Sequence, residues 1–275
     1  LLAAMALSAL AASVPNIILI MTDDQGYQDL GCYGSPNIQT PHLDQLAREG
    51  MRFTDFYSGN SVCSPSRAAL LTGCYPTRVH IPGVLFPKDT IGLHPNEITL
   101  AEMLKSAGYA TTCIGKWHLG HHSDFLPTRQ GFDHYFGIPY SNDMTIDQSA
   151  PLAEKVLWRE GMTREKMLAE KPRKNWVPLM RDEEVVEYPC DQATLTQRYT
   201  QEAVSFIQSH QEKPFFLYLP HTMPHIPLAA PPSFRGRSKG GFYGDTIEEL
   251  DAGVGQILEA LKRLKLEEKT LVIYT

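Results

Sequence analysis

Four short stretches of the chain hold the side chains best suited to chemistry. Asp23 and Asp24 are adjacent in TDDQG, Cys63 and Arg67 share CSPSR, Lys116 and His118 share GKWHLG, and His221 and His225 share HTMPHIP. Adjacent carboxylates at the end of a strand can both face a hard cation, and oxygen ligands suit Ca²⁺ or Mg²⁺. The same pair can instead cap a turn before Gly26. Two Asp do not complete a Ca²⁺ site, which takes ~6–8 oxygens. Cys63 stands just before SPSRAALLTG, which reads as a helix with Ser64 as N-cap, Pro65 at the first helical position and Gly73 as its stop. Free backbone N–H groups and the helix dipole favour an anion there. Arg67 adds a fixed charge suited to a tetrahedral oxyanion. Cys63 has three readings: a small buried cysteine, a thiolate nucleophile of lowered pKa, or part of this anion site. Cysteine phosphatases have a longer, glycine-bearing loop between Cys and Arg, which CSPSR lacks.

The elements around these stretches explain why they should meet. NIILIMT (16–22) is a continuous apolar run, as in a strand buried on both faces of a parallel sheet. TPHLDQLAREG reads as a helix with Thr40 as N-cap, Pro41 at the first position, Asp44 in the first turn and Gly50 as the stop. Thr99 and Glu102 form a capping box for a helix with the stripe Leu100, Met103, Leu104 and Ala107, ended by Gly108. A strand follows over 110–114. LTQRYTQEAVSFIQSH reads as a helix, PFFLYLP (214–220) as a buried strand, DTIEELDAGVGQILEALKRLKL as a long amphipathic helix, and TLVIYT (270–275) as a last strand. Helix and strand alternating in this way predict an α/β fold, a doubly wound, mostly parallel sheet flanked by helices. In such sheets, sites form outside the carboxyl ends of the strands. Asp23 and Asp24, Lys116 and His118, and His221 and His225 each follow a predicted strand. Residues 151–191 are less regular and read as an excursion from the sheet, a lid rather than a separate domain.

Composition narrows the function classes. Hydrophobic residues make up 43% and charged residues 20%, ordinary for a soluble globular chain of 275 residues. A net charge of −6 argues against a general nucleic-acid or anionic-membrane binder. Any anion site must therefore be a local cluster of cations. The opening LLAAMALSALAAS (1–13) is small and apolar, with Ala9-Leu10-Ala11 as a cleavage candidate. It reads as the end of a secretory signal peptide, with a buried N-terminal helix as the alternative. It is too short to span a bilayer, which takes ~20 residues. The expected location is an exported one: periplasmic, extracellular or lysosome-like. Five cysteines, an odd count for an exported chain, suggest that at least one does something other than pair.

Taken in order along the chain, these motifs resemble those of the sulfatase family. CSPSR followed by AALLTG resembles the C-x-P-x-R signature. LIMTDDQG, GKWHLG and HTMPHIP resemble the first metal-binding stretch, the Lys/His motif and the substrate-histidine stretch. GIPYSNDM (137–144) is similar to the arylsulfatase A and galactosamine-6-sulfatase branch. The resemblance runs from Pro15 to Thr275 and implies an alkaline-phosphatase-like catalytic domain over 14–275. It implies that Cys63 is oxidised to formylglycine by a sulfatase-maturing enzyme. One hydroxyl of the aldehyde hydrate attacks sulfur and expels the alcohol. The other loses its proton, the carbonyl re-forms and sulfate is eliminated. The roles implied are metal ligands at Asp23, Asp24 and residue 63, with Ca²⁺ expected before Mg²⁺, and Arg67 holding the metal-side geometry and the hydrate. Lys116 would contact sulfate, and His118 would be the base of the elimination. The family's histidine is followed by x-Pro, which fits HIP at His225 as the sulfate contact and acid. HTM at His221 does not fit, leaving His221 a pocket-lining place. Ser141 matches a substrate-contacting serine, while Asn142 departs from the histidine of the arylsulfatase A pattern. His121 and His122 read as loop residues. The family also carries an Asp-Asn pair and a lysine after the strand that here is TLVIYT, and then a small C-terminal subdomain. The expectation is therefore a truncated chain, weak in metal binding and turnover. Other readings are a formylglycine phosphonate or phosphodiester hydrolase and an inactive fragment.

Overall fold

A computed structural model describes residues 14–275. The expected signal-peptide segment 1–13 lies outside the described residues. The strands are β1 (Asn16–Met21), β2 (Ala110–Ile114), β3 (His134–Gly137), β4 (Leu152–Trp158), β5 (Leu179–Arg181), β6 (Glu184–Tyr188), β7 (Phe215–Pro220) and β8 (Thr270–Tyr274). The helices are α1 (Pro41–Glu49), α2 (Cys63–Thr72), α3 (Leu100–Ser106), α4 (Arg164–Ala169), α5 (Leu195–Ser209) and α6 (Gly241–Arg263). All eight strands form one sheet in the order β4-β6-β5-β3-β2-β7-β1-β8. The run β3-β2-β7-β1-β8 is parallel throughout.

Strand alternation divides the core into two layers. Ile18 and Ile20 of β1 join Phe215, Leu217 and Leu219 of β7 on the face covered by α5 and α6. Leu19, Phe216 and Tyr218 point to the opposite face, with Ala68 and Leu71 of α2 and Ala101 of α3. Every β7 side chain is buried, which is why that stretch reads as an unbroken apolar run rather than an alternating one. The doubly wound reading thus matches the structure.

Four local expectations need correction. Residues 151–191 do not leave the sheet. They supply β4, β5 and β6, which extend it beyond β3, with β5 antiparallel to both neighbours. Their charged residues mark a half-exposed sheet margin: Glu154 and Lys155 of β4 are exposed, while buried Glu187 is held between Arg159 and Arg198 at 2.6 Å each. Thr40 does not cap α1. Its hydroxyl donates to Asp44 and accepts the Gly31 N–H. The N–H groups of His42 and Leu43 go instead to Asp251, 209 and 208 residues away on α6. Helix α2 starts at Cys63, not after it, with Val62 as N-cap, because the Ser64 hydroxyl accepts from Leu85 N at 3.2 Å instead of capping. In α3 the Thr99–Glu102 capping box forms, but Met103 is exposed and Ala101 is the residue turned into the core.

Candidate active site

The carboxyl ends of β1, β2, β3 and β7 lie side by side, and the loops leaving them carry the candidate residues. The ladder continues past the strands as single hydrogen bonds: Lys116 N to Pro220 O (2.7 Å), Trp117 N to Ile138 O (3.0 Å) and His118 N to Pro139 O (3.1 Å). Trp117 is fully buried, donates its indole N–H to Phe125 O and meets Phe132 edge-on, so it anchors the segment between Lys116 and His118. Gly115 has φ +134°, and a Cβ there would overlap the Pro220 carbonyl oxygen. Only glycine lets these three strand ends come so close. Asp24 (φ 62°) and His118 (φ 59°) hold left-handed backbone, uncommon for non-glycine residues and concentrated at functional sites.

Asp23 is the electrostatic centre. Its Oδ2 accepts from Arg67 Nη2 at 2.6 Å and from Lys116 Nζ at 2.7 Å, with all three side chains buried. Burial alone would raise the Asp23 pKa, but Arg67 and Lys116 outweigh it and hold the carboxyl well below the usual range. Arg67 also donates to Lys116 O, which ties the CSPSR helix to the loop after β2. Lys116 Nζ contacts Ser141 Oγ at 3.1 Å, and Ser141 Oγ lies 3.4 Å from His225 Nε2. Asp24, mostly exposed, reaches His225 Nε2 at 3.6 Å. Cys63, half-buried, lines a cleft of about 480 Å³ together with Asp23, Asp24 and Arg67. The structure therefore brings Asp23, Asp24, Arg67, Lys116, Ser141 and His225 into one connected network, with Cys63 on the same cleft.

Hydrogen bonds assign the histidine tautomers. His118 Nε2 lies 2.8 Å from Leu85 O, and a carbonyl can only accept, so Nε2 carries the proton. Nδ1 is left buried without a partner, its lone pair free. Burial and then Lys116 push the His118 pKa well below its ordinary value, so the ring is neutral. His225 Nδ1 faces two acceptors, Asn142 Oδ1 at 3.0 Å and Ile226 O, which puts its proton on Nδ1 and turns Nε2 towards Ser141 and Asp24. His221 is not pocket-lining: it is buried against Tyr199, and burial takes its pKa down to about 3. Asn142 is an orienting residue that sequence reasoning left without a role. Its Nδ2 donates to Gln192 Oε1 and Pro227 O, which fixes Oδ1 against His225. The signal for it was its place beside Ser141.

Asp23, Asp24 and His225 offer ligand atoms within 4.8 Å of one another. Two carboxylates suit a hard divalent ion. The cations on Asp23 take Oδ2 alone among the described contacts, so the donor set fits such an ion with further oxygens still to be supplied. Cys63 is not in that group of three.

The scaffold is thus a doubly wound α/β sheet with a cation-bound Asp at the end of its first strand and a cysteine opening a helix beside it. The sulfatase family profile matches residues 15–275, and the chain belongs to the sulfatase family. It is 43% identical over 280 residues to arylsulfatase A of Homo sapiens, covering 100% of this chain and 54% of that protein. It is 41% identical over 288 residues to N-acetylgalactosamine-6-sulfatase of Mus musculus, covering 98% of this chain and 51% of the relative. The crystal structure of Ps i-CgsB superposes with a TM-score of 0.79 at 31% identity, over 95% of this chain and 58% of that one. The chain thus spans about half the length of the curated relatives it matches. Among the described residues, no helix is long and apolar enough to cross a membrane.

Proposed function

We propose that this chain carries the catalytic core of an exported sulfuric ester hydrolase that cleaves aryl or carbohydrate sulfate monoesters, with Cys63 matured to formylglycine by a sulfatase-maturing enzyme. The observation that carries the reading is the convergence of Arg67 and Lys116 on Asp23, beside Cys63 at the first turn of α2. Two buried cations sharing one carboxylate leave an excess positive charge next to a helix N-terminus, a local setting that suits an anion on a chain of net negative charge. Matured to formylglycine, residue 63 would supply the two hydroxyls of an aldehyde hydrate, one to attack sulfur as the alcohol leaves and one whose deprotonation would re-form the carbonyl and release sulfate. A divalent ion, Ca²⁺ before Mg²⁺, supplies charge stabilisation for the sulfuryl oxygens. Asp23 and Asp24 would hold it, with residue 63 as a further oxygen donor.

The chain's own residues divide the remaining work. Lys116 and Ser141 bind sulfate oxygens. Neutral His118 takes a proton at Nδ1, the ring atom left without a partner. His225, when protonated at Nε2 beside Asp24, donates to the leaving oxygen. Arg67 keeps Asp23 ionised and joins the two loops. The likeness to N-acetylgalactosamine-6-sulfatase and to a structure solved with k-i-k-neocarrahexaose favours a sulfated sugar.

The test is to produce the chain with a sulfatase-maturing enzyme and analyse the peptide spanning Cys63 by mass spectrometry, with turnover measured on an aryl sulfate and on a phosphodiester. The expected result is the aldehyde at Cys63, aryl sulfate cleavage that Cys63→Ala abolishes, and a slower phosphodiester reaction. Activity from a chain whose Cys63 is still a thiol would sink the reading.

A further inference from the structure

The loops after β2 and β3 hold a second group of ligand-type side chains, apart from Asp23 and Asp24. His121 and His122 follow the GKWHLG stretch, Asp147 follows Ser141 and Asn142, and the ligand atoms of the three lie within 4.8 Å of one another. His121 Nε2 is 3.0 Å from Asp147 Oδ2. We propose that His121, His122 and Asp147 form a transition-metal site, with Zn²⁺ as the ion that suits it best, which clamps the loop carrying Lys116 and His118 to the loop carrying Ser141 and Asn142.

Donor chemistry separates this site from the acidic one. Two imidazoles and one carboxylate suit Zn²⁺, Ni²⁺ or Cu²⁺, whereas Ca²⁺ prefers an all-oxygen set. Three protein ligands leave a tetrahedral ion one position for water. The supporting contacts resemble those that orient known metal ligands. Asp147 Oδ1 is engaged by the backbone N–H and hydroxyl of Ser149 at 2.9 and 2.8 Å, which leaves Oδ2 to face His121. The Tyr140 hydroxyl accepts the Asp147 N–H at 3.0 Å, and its ring meets His121 edge-on with centroids 5.5 Å apart. His121 is buried and His122 half-buried, with ring centroids 4.4 Å apart. Burial and the neighbouring His122 lower the His121 pKa, so its imidazole is neutral, the form that binds a metal. A hydrogen bond serving only to pin the loops needs His121 and Asp147 alone. The second imidazole within ligand range is what points to a metal.

The experiment is zinc titration of the chain by calorimetry, repeated with Co²⁺ for its visible absorption. One zinc is expected to bind in the presence of millimolar Ca²⁺. His122→Ala and Asp147→Asn should each weaken it about tenfold or more, on the scale seen when metal-site contacts are lost. Asp24→Asn and His225→Ala should leave it unchanged, which separates this site from the catalytic one. His122 is only half-buried, so His122→Ala should fold, and thermal melts without metal check this. Zinc binding that is unaltered by His122→Ala and Asp147→Asn, or absent from the folded parent chain, overturns the proposal.

Discussion

At the scale of single residues, what a histidine can do depends on what holds its ring. His221 and His225 are four positions apart and follow the same strand. His221 packs against Tyr199, away from the cleft. His225 has its Nδ1 turned to Asn142 and its Nε2 turned to Ser141 and Asp24. His225→Ala should therefore lower kcat on an aryl sulfate by about 10²–10⁴-fold, the usual loss for a positioned acid or base. His221→Ala should leave kcat within about a few-fold of the parent, because the ring is buried against Tyr199 and reaches none of the groups in the cleft, so the general acid–base contribution is untouched. Steady-state kinetics on both matured variants decide it, and equal effects would show that the roles are misassigned. Asn142→Ala should fall between them, because it frees the ring without removing it.

At the scale of elements, the N-terminus of α1 shows how an end without its own cap is satisfied from elsewhere. The expected Thr40 cap is engaged with Asp44 and Gly31, so the first turn depends on Asp251 of α6. Asp251 is buried. Its carboxylate thus both caps α1 and fixes the α1–α6 contact beneath β1. Asp251→Ala should lower stability by about 1–2 kcal/mol, the upper range for a lost cap. Asp251→Asn, which retains an acceptor, should recover most of it. Urea unfolding followed by circular dichroism measures both, and an Asp251→Ala midpoint equal to the parent's would remove Asp251 from this role.

At the scale of the whole molecule, one buried acid ties stability to pH. Glu249 on α6 is 4% exposed, its Oε1 has no partner, and burial raises its pKa to about 8. In the unfolded chain the same group releases its proton near 4.5. Between these values the folded state holds one proton more than the unfolded state, so stability falls as pH rises through that window. Below about 4.5 the contribution is complete, and above about 8 the fold carries a buried, unpaired charge. Glu249→Gln should remove this slope and leave the variant more stable than the parent at the alkaline end. Denaturant midpoints at several pH values read it directly, and parallel curves for the two proteins would refute it.

The chain's order of residues by itself determined the strands that are buried on both faces, the stop at Gly73 and the capping box at Thr99, because these depend on local pattern and short-range bonding. The short motifs TDDQG, CSPSR, GKWHLG and HIP marked Asp23, Asp24, Arg67, Lys116 and His225, all of the site network but Ser141, since strand ends in such sheets are where chemistry collects. Tertiary structure alone decided the rest. Nothing local announced β4 to β6: charged residues interrupt the apolar ones in β4 and β6, β5 is only three residues long, and β4–β6 and β3–β5 pair segments far apart in sequence. Asp251 capping α1, Asn142 holding His225, and the Arg67 and Lys116 contacts on Asp23 all join segments tens to hundreds of residues apart. A side chain's partner at that distance is set by how the layers pack, and no local spacing records it.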